Sequence, residues 1–385
     1  MSLLVTVTGR DHPGVTAALM DVLTAHGATV EDVEQVVVHG RLLLGVVIAG
    51  EGDGAAVTAA LAEAAAALGV EVEFTPLEDA EPEAAHRHHV VVLGVPLPPA
   101  ALAGITRRLA TCGANIERVV RLSSWPAQSF ELVVSGGDTH QLRHELAAEA
   151  VLQQVDVAVE RASIYRRAKR LVVMDVDSTL VQGEVIEMLA AEAGCEAEVA
   201  RVTAAAMAGE LDFEQSLRAR VALLEGLPVQ AVDRVRAGVR LTPGGRTLVR
   251  TLKRLGWTVG IVSGGFTAVT DDLRDQLGLD HALANVLEVR DGRLTGQVVG
   301  DVVDRAGKAA ALRRFAAEEG LRPEQTVAIG DGANDLDMLE AAGLGIAFNA
   351  KPVVRDAADA ALSVPFLDAV LFLLGIPRDE VEQAL

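Results

Sequence analysis

Short apolar runs that end in polar residues organise the second half of the chain. Three of them are Leu171 to Met174 before Asp175 and Asp177, Trp257 to Val262 before Ser263 and Gly264, and Thr326 to Ile329 before Gly330 and Asp331. Helical patterns separate these runs. Short, continuous apolar runs are typical of strands buried on both faces of a parallel sheet. The alternation therefore predicts an α/β domain over residues 170–385.

The first half of the chain is an internal repeat. Gly27-Ala-Thr-Val-Glu-Asp-Val33 returns as Gly113-Ala-Asn-Ile-Glu-Arg-Val119. Around each copy the pattern reads strand, helix, strand, strand, helix, strand, which is the ferredoxin-like order. We expect one such domain over residues 1–76 and another over 89–160. Residues 77–88 carry charge, proline and histidine without periodicity and predict a linker, to which His86, His88 and His89 would belong.

The loop after the first strand contains Asp11, His12, Pro13 and Gly14. Asp11 or His12 could cap the following helix, and Pro13 suits a first helical turn. The same turn also offers backbone N–H groups to a small anion. The second copy has Pro-Leu-Pro-Pro at this place, so only the first copy offers this loop as a ligand site.

Composition excludes several classes of function. The formal charge of −20 disfavours nucleic acid and anionic membrane surfaces as partners. The chain has only two cysteines, so no disulfide framework is expected, which suits the reducing cytoplasm. The first residues lack the basic and apolar regions of a signal peptide, and no apolar run is long enough to span a membrane.

The polar residues at the strand ends predict a site for a metal and an anion. Asp175 and Asp177 are one residue apart and need a cation between them, and Mg²⁺ prefers oxygen ligands. Ser263 and Gly264 precede a helix whose first N–H groups can bind an anion. Lys308 lies near the start of a later helical stretch. Each signal alone also fits an ordinary turn or a solvated helix.

Together, the four segments resemble the haloacid dehalogenase superfamily. That resemblance implies a Rossmann-type parallel sheet with a small helical cap, placed here at about residues 185–240 and preceded by the two ferredoxin-like domains. It implies Asp175 as nucleophile and Asp177 as general acid and base. Mg²⁺ would be held by Asp175, Asp331 and the carbonyl of Asp177. The other implied site residues bind the phosphoryl group or substrate, or support these groups from behind: Ser263, Gly264, Lys308, Asn334, Asp335 and Thr179.

Residues on the cap suggest the substrate. Glu184 and Arg220 suit an ammonium and a carboxylate, although each alone also fits a solvated helix charge. The spacings from Asp175 to Glu184 and from Phe213 to Arg220 resemble those of phosphoserine phosphatases. This resemblance implies hydrolysis of O-phospho-L-serine in serine biosynthesis, with Met207 and Phe213 as an apolar wall over the substrate. The alternatives are a phosphatase or phosphotransferase acting on another small phosphomonoester, such as phosphohomoserine, and an amino-acid-sensing protein with an inactive core.

The repeated half resembles ACT domains, which are small amino-acid-sensing modules. This resemblance implies a homodimer through the ACT-like region and L-serine as an effector at Asp11, Pro13 and Gly14. The second copy departs from the ACT pattern in this loop, so we expect it to serve in packing.

Overall fold

The computed structural model describes residues 2–49, 54–77 and 86–383. The chain divides into two compact units, Met1–Ala84 and Ala85–Leu385. Within the described residues, no helix is both long enough and apolar enough to cross a membrane.

The first unit is one ferredoxin-like domain. Its elements are β1 (Ser2–Arg10), α1 (Val15–Ala25), β2 (Thr29–Val38), β3 (Arg41–Ala49), α2 (Gly54–Leu68) and β4 (Val70–Leu77). The antiparallel sheet has the order β2-β3-β1-β4. Val15, Leu19 and Leu23 recur every fourth position of α1 and are buried, as expected for one helix face packed on a sheet.

Strand β2 is the exposed edge of this sheet. All its residues are exposed, although several are valines. Val36 and Val38 share the face of the sheet that carries Leu43 on β3, and all three side chains are exposed. An apolar edge strand of this kind is a surface suited to pairing with another chain.

The start of α1 differs from the prediction. Gly14 is the N-cap residue, with φ 99°, and no side chain caps the helix. Pro13 precedes the cap. His12 instead places Nε2 3.0 Å from the carbonyl oxygen of Leu68. Asp11 donates its backbone N–H to the carbonyl of Gly40. The expectation that Asp11 or His12 caps α1 was wrong because the chain enters the helix through a left-handed glycine.

The second unit begins with the second ferredoxin-like copy. Its elements are β5 (Arg87–Gly94), α3 (Pro99–Thr111), β6 (Ala114–Ser123), β7 (Gln128–Gly136), α4 (Thr139–Gln153) and β8 (Asp156–Arg161). The strand order β8-β5-β7-β6 matches that of the first unit. The side chain of Asp138 caps α4. The repeat therefore has the same topology in both copies, as the sequence predicted.

The histidines assigned to the linker lie at or inside β5. His88 is fully buried, and its Nε2 is 2.9 Å from Oγ1 of Thr139. His89 faces Glu131, with Nδ1 3.2 Å from its carboxylate. Strand pairing extends the second ferredoxin-like copy back to Arg87, so the predicted linker ended too late. It was also too long at its start, because Leu77 belongs to β4.

The remaining elements form the α/β part. In order they are α5 (Ile164–Arg167), β9 (Leu171–Met174), α6 (Val185–Ala193), α7 (Glu196–Met207), α8 (Phe213–Ala222), α9 (Val229–Gly238), α10 (Gly245–Arg254), β10 (Thr258–Phe266), α11 (Thr267–Leu277), β11 (His281–Arg290), β12 (Arg293–Val299), α12 (Arg305–Glu318), β13 (Thr326–Gly330), α13 (Leu336–Ala341), β14 (Leu344–Phe348), α14 (Pro352–Ala357), β15 (Ala360–Leu362), α15 (Val370–Leu373) and α16 (Arg378–Gln383). This alternation agrees with the predicted α/β class.

Strand β9 lies between β10 and β13 in a parallel sheet. All four of its residues are buried, and Met174 is in register with Ile261 on one side and Ile329 on the other. The carboxyl ends of the three strands therefore meet at one edge, which is where open α/β sheets bind ligands. The hairpin β11–β12 turns at Asp291 and Gly292, both with positive φ, as its Asp-Gly sequence predicts.

The four helices α6 to α9 form the cap inserted after β9. The chain enters and leaves the cap through two adjacent segments. Val181 and Leu241 form an antiparallel bridge, and Gln182 donates its N–H to the carbonyl of Arg240 at 2.8 Å. We call residues 181–184 and 239–242 the cap hinge.

The second ferredoxin-like copy and the α/β part share one sheet. Strand β8 pairs with β15 through Ala158 and Ala360, giving eleven strands in all. The carboxylate of Asp156 accepts the N–H of Ser363 at 2.7 Å. The buried Lys169, which precedes β9, pairs with Glu160 of β8. Residues 85–385 thus form one compact unit, and the predicted boundary between 160 and 170 lies inside it.

Candidate active site

The carboxyl ends of β9, β10 and β13 bring the predicted catalytic residues together. Asp175 follows β9 directly and is buried. Its N–H donates to the carbonyl of Ile329 at 2.8 Å, which extends the pairing of β9 with β13. The chain then turns sharply, with Ser178 in a left-handed conformation at φ 59°. This turn lets residues 175–179 present several polar groups toward one space.

Lys308 joins two carboxylates at the centre of the site. Its Nζ lies 2.7 Å from Oδ1 of Asp175 and 2.7 Å from Oδ1 of Asp335. Asp304 caps α12, so Lys308 enters from the first turns of that helix and is completely buried. Burial opposes its charge, but Asp175 and then Asp335 outweigh this effect and raise the pKa of Lys308. Lys308 therefore carries a positive charge in the site.

Lys308 does not fully offset the negative charge of the carboxylates around it. Burial, followed by the charge of Asp335, raises the pKa of Asp175 well above its ordinary value. Burial also raises the pKa of Asp331 to about 6, although Oδ1 accepts a 2.8 Å hydrogen bond from Thr179. Carboxylate oxygens of Asp175, Asp331 and Asp335 lie within 4.8 Å of one another. This excess of negative charge favours a further cation.

Asp335 is already held by the protein. Its Oδ1 accepts from Lys308, and its Oδ2 accepts the N–H of Gly332 at 2.9 Å. A side chain at Gly330 would collide with Asp335, because an added Cβ would lie 2.5 Å from its Cγ. Asp335 therefore contacts Lys308 directly and is fixed in place on both of its oxygens. Asn334 lies in the same turn, with Oδ1 against Gly332.

Asp177 is held apart from the Asp175–Lys308 pair by two other donors. Its Oδ1 accepts the N–H of Val185 at 2.8 Å, and its Oδ2 accepts from Oγ of Ser263 at 2.9 Å. Ser263 in turn accepts the N–H of Gly265 at 2.7 Å. The Asp177 side chain thus faces the first turn of the cap and the end of β10, where it is available for proton transfer.

The cap places an anion and a cation beside this site. Glu184 immediately precedes α6, and its Oε1 accepts a 3.1 Å hydrogen bond from Ser178. Burial, and then the charge of Asp177, raises the pKa of Glu184 to about 7. Arg220 is half-buried on α8. Burial lowers its pKa, and the charges of Glu184 and Asp177 oppose that shift. The two predicted substrate residues therefore share one electrostatic environment.

The two predicted wall residues differ in position. Phe213 is the first residue of α8, after a capping box formed by Asp212 and Gln215. Its ring rests on Gly264, where an added Cβ would lie 2.8 Å from Cζ. Met207 ends α7 with 70% of its surface exposed. The structure thus brings Phe213 to the site and leaves Met207 in solvent.

Known proteins match both halves of the chain. A sequence model of the haloacid dehalogenase-like hydrolases matches residues 172–340, and ACT domain models match residues 1–75 and 86–160. The phosphoserine phosphatase of Streptomyces coelicolor is 59% identical over 100% of this chain and 94% of its own length. The chain belongs to the phosphoserine phosphatases of the haloacid dehalogenase-like hydrolases.

Two further members of this phosphatase family extend the comparison. The enzyme of Mycobacterium tuberculosis is 51% identical, covering 100% of this chain and 95% of its own. A solved structure described as a phospho-aspartyl intermediate analogue of phosphoserine phosphatase is 45% identical, with a TM-score of 0.51. It covers 53% of this chain and 98% of its own, so its match lies in one part of the present chain.

Sequence reasoning missed two residues that shape this phosphatase site. Asn285 on β11 donates to the carbonyl of Gly264 and accepts the N–H of Val303, both at 2.8 Å. It thereby ties the Gly264 loop to the segment before α12. At Gly265, an added Cβ would lie 2.8 Å from Oδ2 of Asp177. The repeated glycine after Ser263 was the available signal for Gly265, whereas no motif in the sequence around Asn285 marks it as a site residue.

Proposed function

We propose that this chain hydrolyses O-phospho-L-serine to L-serine and inorganic phosphate through a phosphorylated Asp175. The observation that carries the proposal is the buried contact of Asp175 with Lys308, beside a separately held Asp177. A nucleophilic carboxylate splits a difficult hydrolysis into two displacements. The similarity to phosphoserine phosphatases over the whole chain supports this choice of substrate.

In the first displacement, a carboxylate oxygen of Asp175 forms a bond to phosphorus while the bond from phosphorus to the serine Oγ breaks. Lys308 offsets the negative charge on the transferring phosphoryl oxygens. Ser263, the Gly264 backbone and Asn334 bind these oxygens on the other sides. A protonated Asp177 gives its proton to the departing serine oxygen, which is a poor leaving group without it.

In the second displacement, water attacks phosphorus and releases inorganic phosphate. Asp177 is now a carboxylate and accepts a proton from that water, while the carboxylate of Asp175 is restored. Val185 and Ser263 hold the two oxygens of Asp177 in the structure. Substrate therefore has to take over one of these hydrogen bonds, and Ser263, which can rotate its hydroxyl, is the donor that can be redirected.

Mg²⁺ fits the acidic side of this site. Side-chain oxygens of Asp175 and Asp331, with the backbone carbonyl of Asp177, would hold the ion, while Thr179 and Asp335 would fix the surrounding groups. The raised pKa values of Asp175 and Asp331 support the binding of a cation between these two carboxyl groups. When bound, Mg²⁺ would neutralise phosphate charge and align the phosphoryl group with the nucleophile.

The amino-acid part of the substrate would lie between Glu184 and Arg220. The carboxylate of Glu184 suits the serine ammonium, and the guanidinium of Arg220 suits the serine carboxylate. Phe213 covers the apolar side of this space against Gly264. Such a pair distinguishes phosphoserine from sugar phosphates, which lack both charges.

Phosphate release from a substrate panel tests the proposal. We expect phosphoserine to exceed phosphohomoserine, phosphoethanolamine and glucose 6-phosphate in kcat/KM, and turnover to depend on Mg²⁺ after chelation and dialysis. Asp175→Asn should abolish turnover and acid-stable labelling of the protein by radioactive phosphoserine, whereas Asp337→Asn should retain both, because Asp337 is a half-exposed residue of α13 that pairs with Arg305. Preference for phosphohomoserine, or absence of any turnover, would support the rival substrate or an inactive sensing core.

For the first unit, we propose a homodimer through β2. The exposed valines of this edge strand, with Leu43 beside them, support pairing with a second copy. Val36→Glu should turn dimers into monomers in light scattering after gel filtration, whereas Glu34→Gln on the same strand should not. Dimers that persist in Val36→Glu would place the contact elsewhere.

L-serine is the proposed effector of this unit, at the loop containing Asp11, Pro13 and Gly14. The loop is exposed and leads through Gly14 into α1, whose first backbone N–H groups support an anion-binding role. Serine inhibition that is not competitive with phosphoserine, and that Gly14→Val removes, would agree with the proposal. Purely competitive inhibition, unchanged in the variant, would assign serine to the catalytic site. We expect this enzyme in the cytoplasm, where its two free cysteines suit reducing conditions.

A further inference from the structure

A cavity lined by arginines lies beside the cap hinge, and none of the catalytic carboxylates lines it. A cavity of about 320 Å³ opens between α9, the hinge, α10 and α11. Arg236, Arg240 and Arg246 line it, each from a different element. Three arginines that converge on one small cavity are unusual for a chain with a formal charge of −20.

Two of these arginines have no counter-ion. Arg236 pairs with Asp233 on its own helix at 3.1 Å. Among the described residues, neither Arg240 nor Arg246 forms an ion pair, and the cavity contains one carboxylate, that of Asp272. Asp272 already accepts a hydrogen bond from Gln276 at 2.7 Å. The cavity therefore has an excess of positive charge and unused donors.

The apolar walls of the cavity strengthen the attraction of its arginines for an anion. Val269 and Leu273 of α11 line the cavity, and both side chains are buried in the core. The three arginines are exposed at the mouth of the cavity, and the apolar, low-dielectric wall beneath them focuses their field into it. Two guanidinium groups with planar donors match the oxygens of a phosphate-sized anion.

We propose that this cavity binds a phosphate-class oxyanion, either inorganic phosphate or the phosphate group of a small ester, through Arg240 and Arg246 with Arg236 at its rim. The site is separate from the one that performs catalysis, and its existence does not depend on the catalytic proposal.

The position of this anion site would link the cap to the rest of the enzyme. Arg236 lies on cap helix α9, Arg240 in the hinge, and Arg246 on α10 of the core. The carbonyl of Arg240 is also the acceptor for Gln182 on the other hinge segment. An anion shared by these arginines holds the two sides of the hinge together and resists cap opening.

Equilibrium dialysis of the full chain against radioactive inorganic phosphate tests the site. We expect two phosphates per wild-type chain, one catalytic and one at the hinge, and one per chain in Arg240→Ala/Arg246→Ala. Arg250→Ala is the matched control, since Arg250 is exposed on α10 outside the cavity, and it should bind two. A second dialysis against methyl phosphate distinguishes ester from free phosphate. Equal numbers of bound phosphates in the wild type and in Arg240→Ala/Arg246→Ala would overturn the proposal, whatever the catalytic site binds.

A milder variant and a rate measurement test the same proposal even when the double variant does not fold. Arg246→Gln should weaken the second phosphate roughly tenfold or more, the usual worth of a charge-assisted hydrogen bond. At saturating substrate, phosphate should lower kcat of the wild type and of Arg250→Ala but not of Arg246→Gln. A kcat that is independent of phosphate in the wild type would remove the link to cap opening.

Discussion

Ser263 donates a 2.9 Å hydrogen bond to Oδ2 of Asp177, although 86 positions separate them along the chain. The contact joins the end of β10 to the turn after β9. It orients the carboxyl group that we assign to proton transfer, and it uses a hydroxyl that we assign to phosphate binding. The two roles are compatible because a hydroxyl can both donate and accept, and because its donor direction rotates.

The first prediction concerns Asp177→Asn. Hydrolysis of phosphoserine should slow by ~10²–10⁴-fold, which is the usual contribution of general acid–base catalysis. An aryl phosphate should lose less in the first displacement, because its leaving group needs no proton. Rapid-quench measurement of the burst phase compares the two substrates. An equal loss in both burst rates would argue against the acid role.

The second prediction concerns recognition of the amino acid. Arg220→Ala should raise KM for phosphoserine roughly 10- to 100-fold, in line with the loss of a charge-assisted pair, and spare phosphoethanolamine, which has no carboxylate. Arg218→Ala is the matched control on the same helix, because Arg218 pairs with the exposed Glu214. If KM for both substrates rises alike, Arg220 binds phosphate or supports the fold instead.

The third prediction is a pH dependence that comes from Glu184. Burial and Asp177 raise its pKa to about 7, and only the ionised form attracts the substrate ammonium. In the free enzyme the carboxylate is lost as pH falls through about 7. We therefore expect kcat/KM for phosphoserine to rise with pH up to about 7 and then to level off.

Glu184→Gln provides the control for this profile. The substrate phosphate also ionises near pH 6, but that change is common to both enzymes. The ratio of wild-type to Glu184→Gln kcat/KM should therefore isolate the Glu184 ionisation. A ratio that does not vary between pH 5.5 and 8.5 would contradict the assignment, and so would a ratio that varies equally for a substrate without an ammonium.

The fourth prediction concerns the buried pair formed by Lys169 and Glu160 of β8. Lys169→Met removes one of the two cations that pair with the buried Glu160 among the described residues and leaves Arg166 at 3.2 Å. We expect the free energy of unfolding to fall by about 3–5 kcal/mol. Adding Glu160→Leu should restore much of this loss, because the incompletely compensated carboxylate is removed. Urea unfolding of the three variants and the wild type measures the cycle, and additive losses would show that the pair is not coupled.

The pairing of β8 with β15 decides which shorter fragment of the chain keeps the second unit whole. A fragment starting near Lys169 would lack β8, which pairs with β15, and would expose that edge of the sheet. A fragment starting at Ala85 keeps the whole second unit. Tests of regulation by the first unit should therefore use the longer fragment.

Local patterns were enough to predict most of the fold. Short apolar runs predicted β9, β10 and β13, because a strand buried on both faces must be apolar throughout. The repeat predicted both ferredoxin-like copies. The predictions about caps and ends were less accurate: Gly14, not Asp11 or His12, begins α1, and β5 starts before the predicted end of the linker. These details depend on which of several short-range hydrogen bonds is formed, and neighbouring sequence does not decide that.

The sequence by itself determined which residues stand at the carboxyl ends of the strands, because chain order and strand length set those positions. That is why Asp175, Ser263 and Asp331 could be assigned before any geometry was known. Only the tertiary structure decided what each side chain contacts. It placed Lys308 between Asp175 and Asp335, left Met207 exposed, brought Asn285 to Gly264, and fused the second copy to the α/β part through β8 and β15. Such contacts join positions far apart in the chain, so they depend on how whole elements pack and not on the residues that flank each side chain.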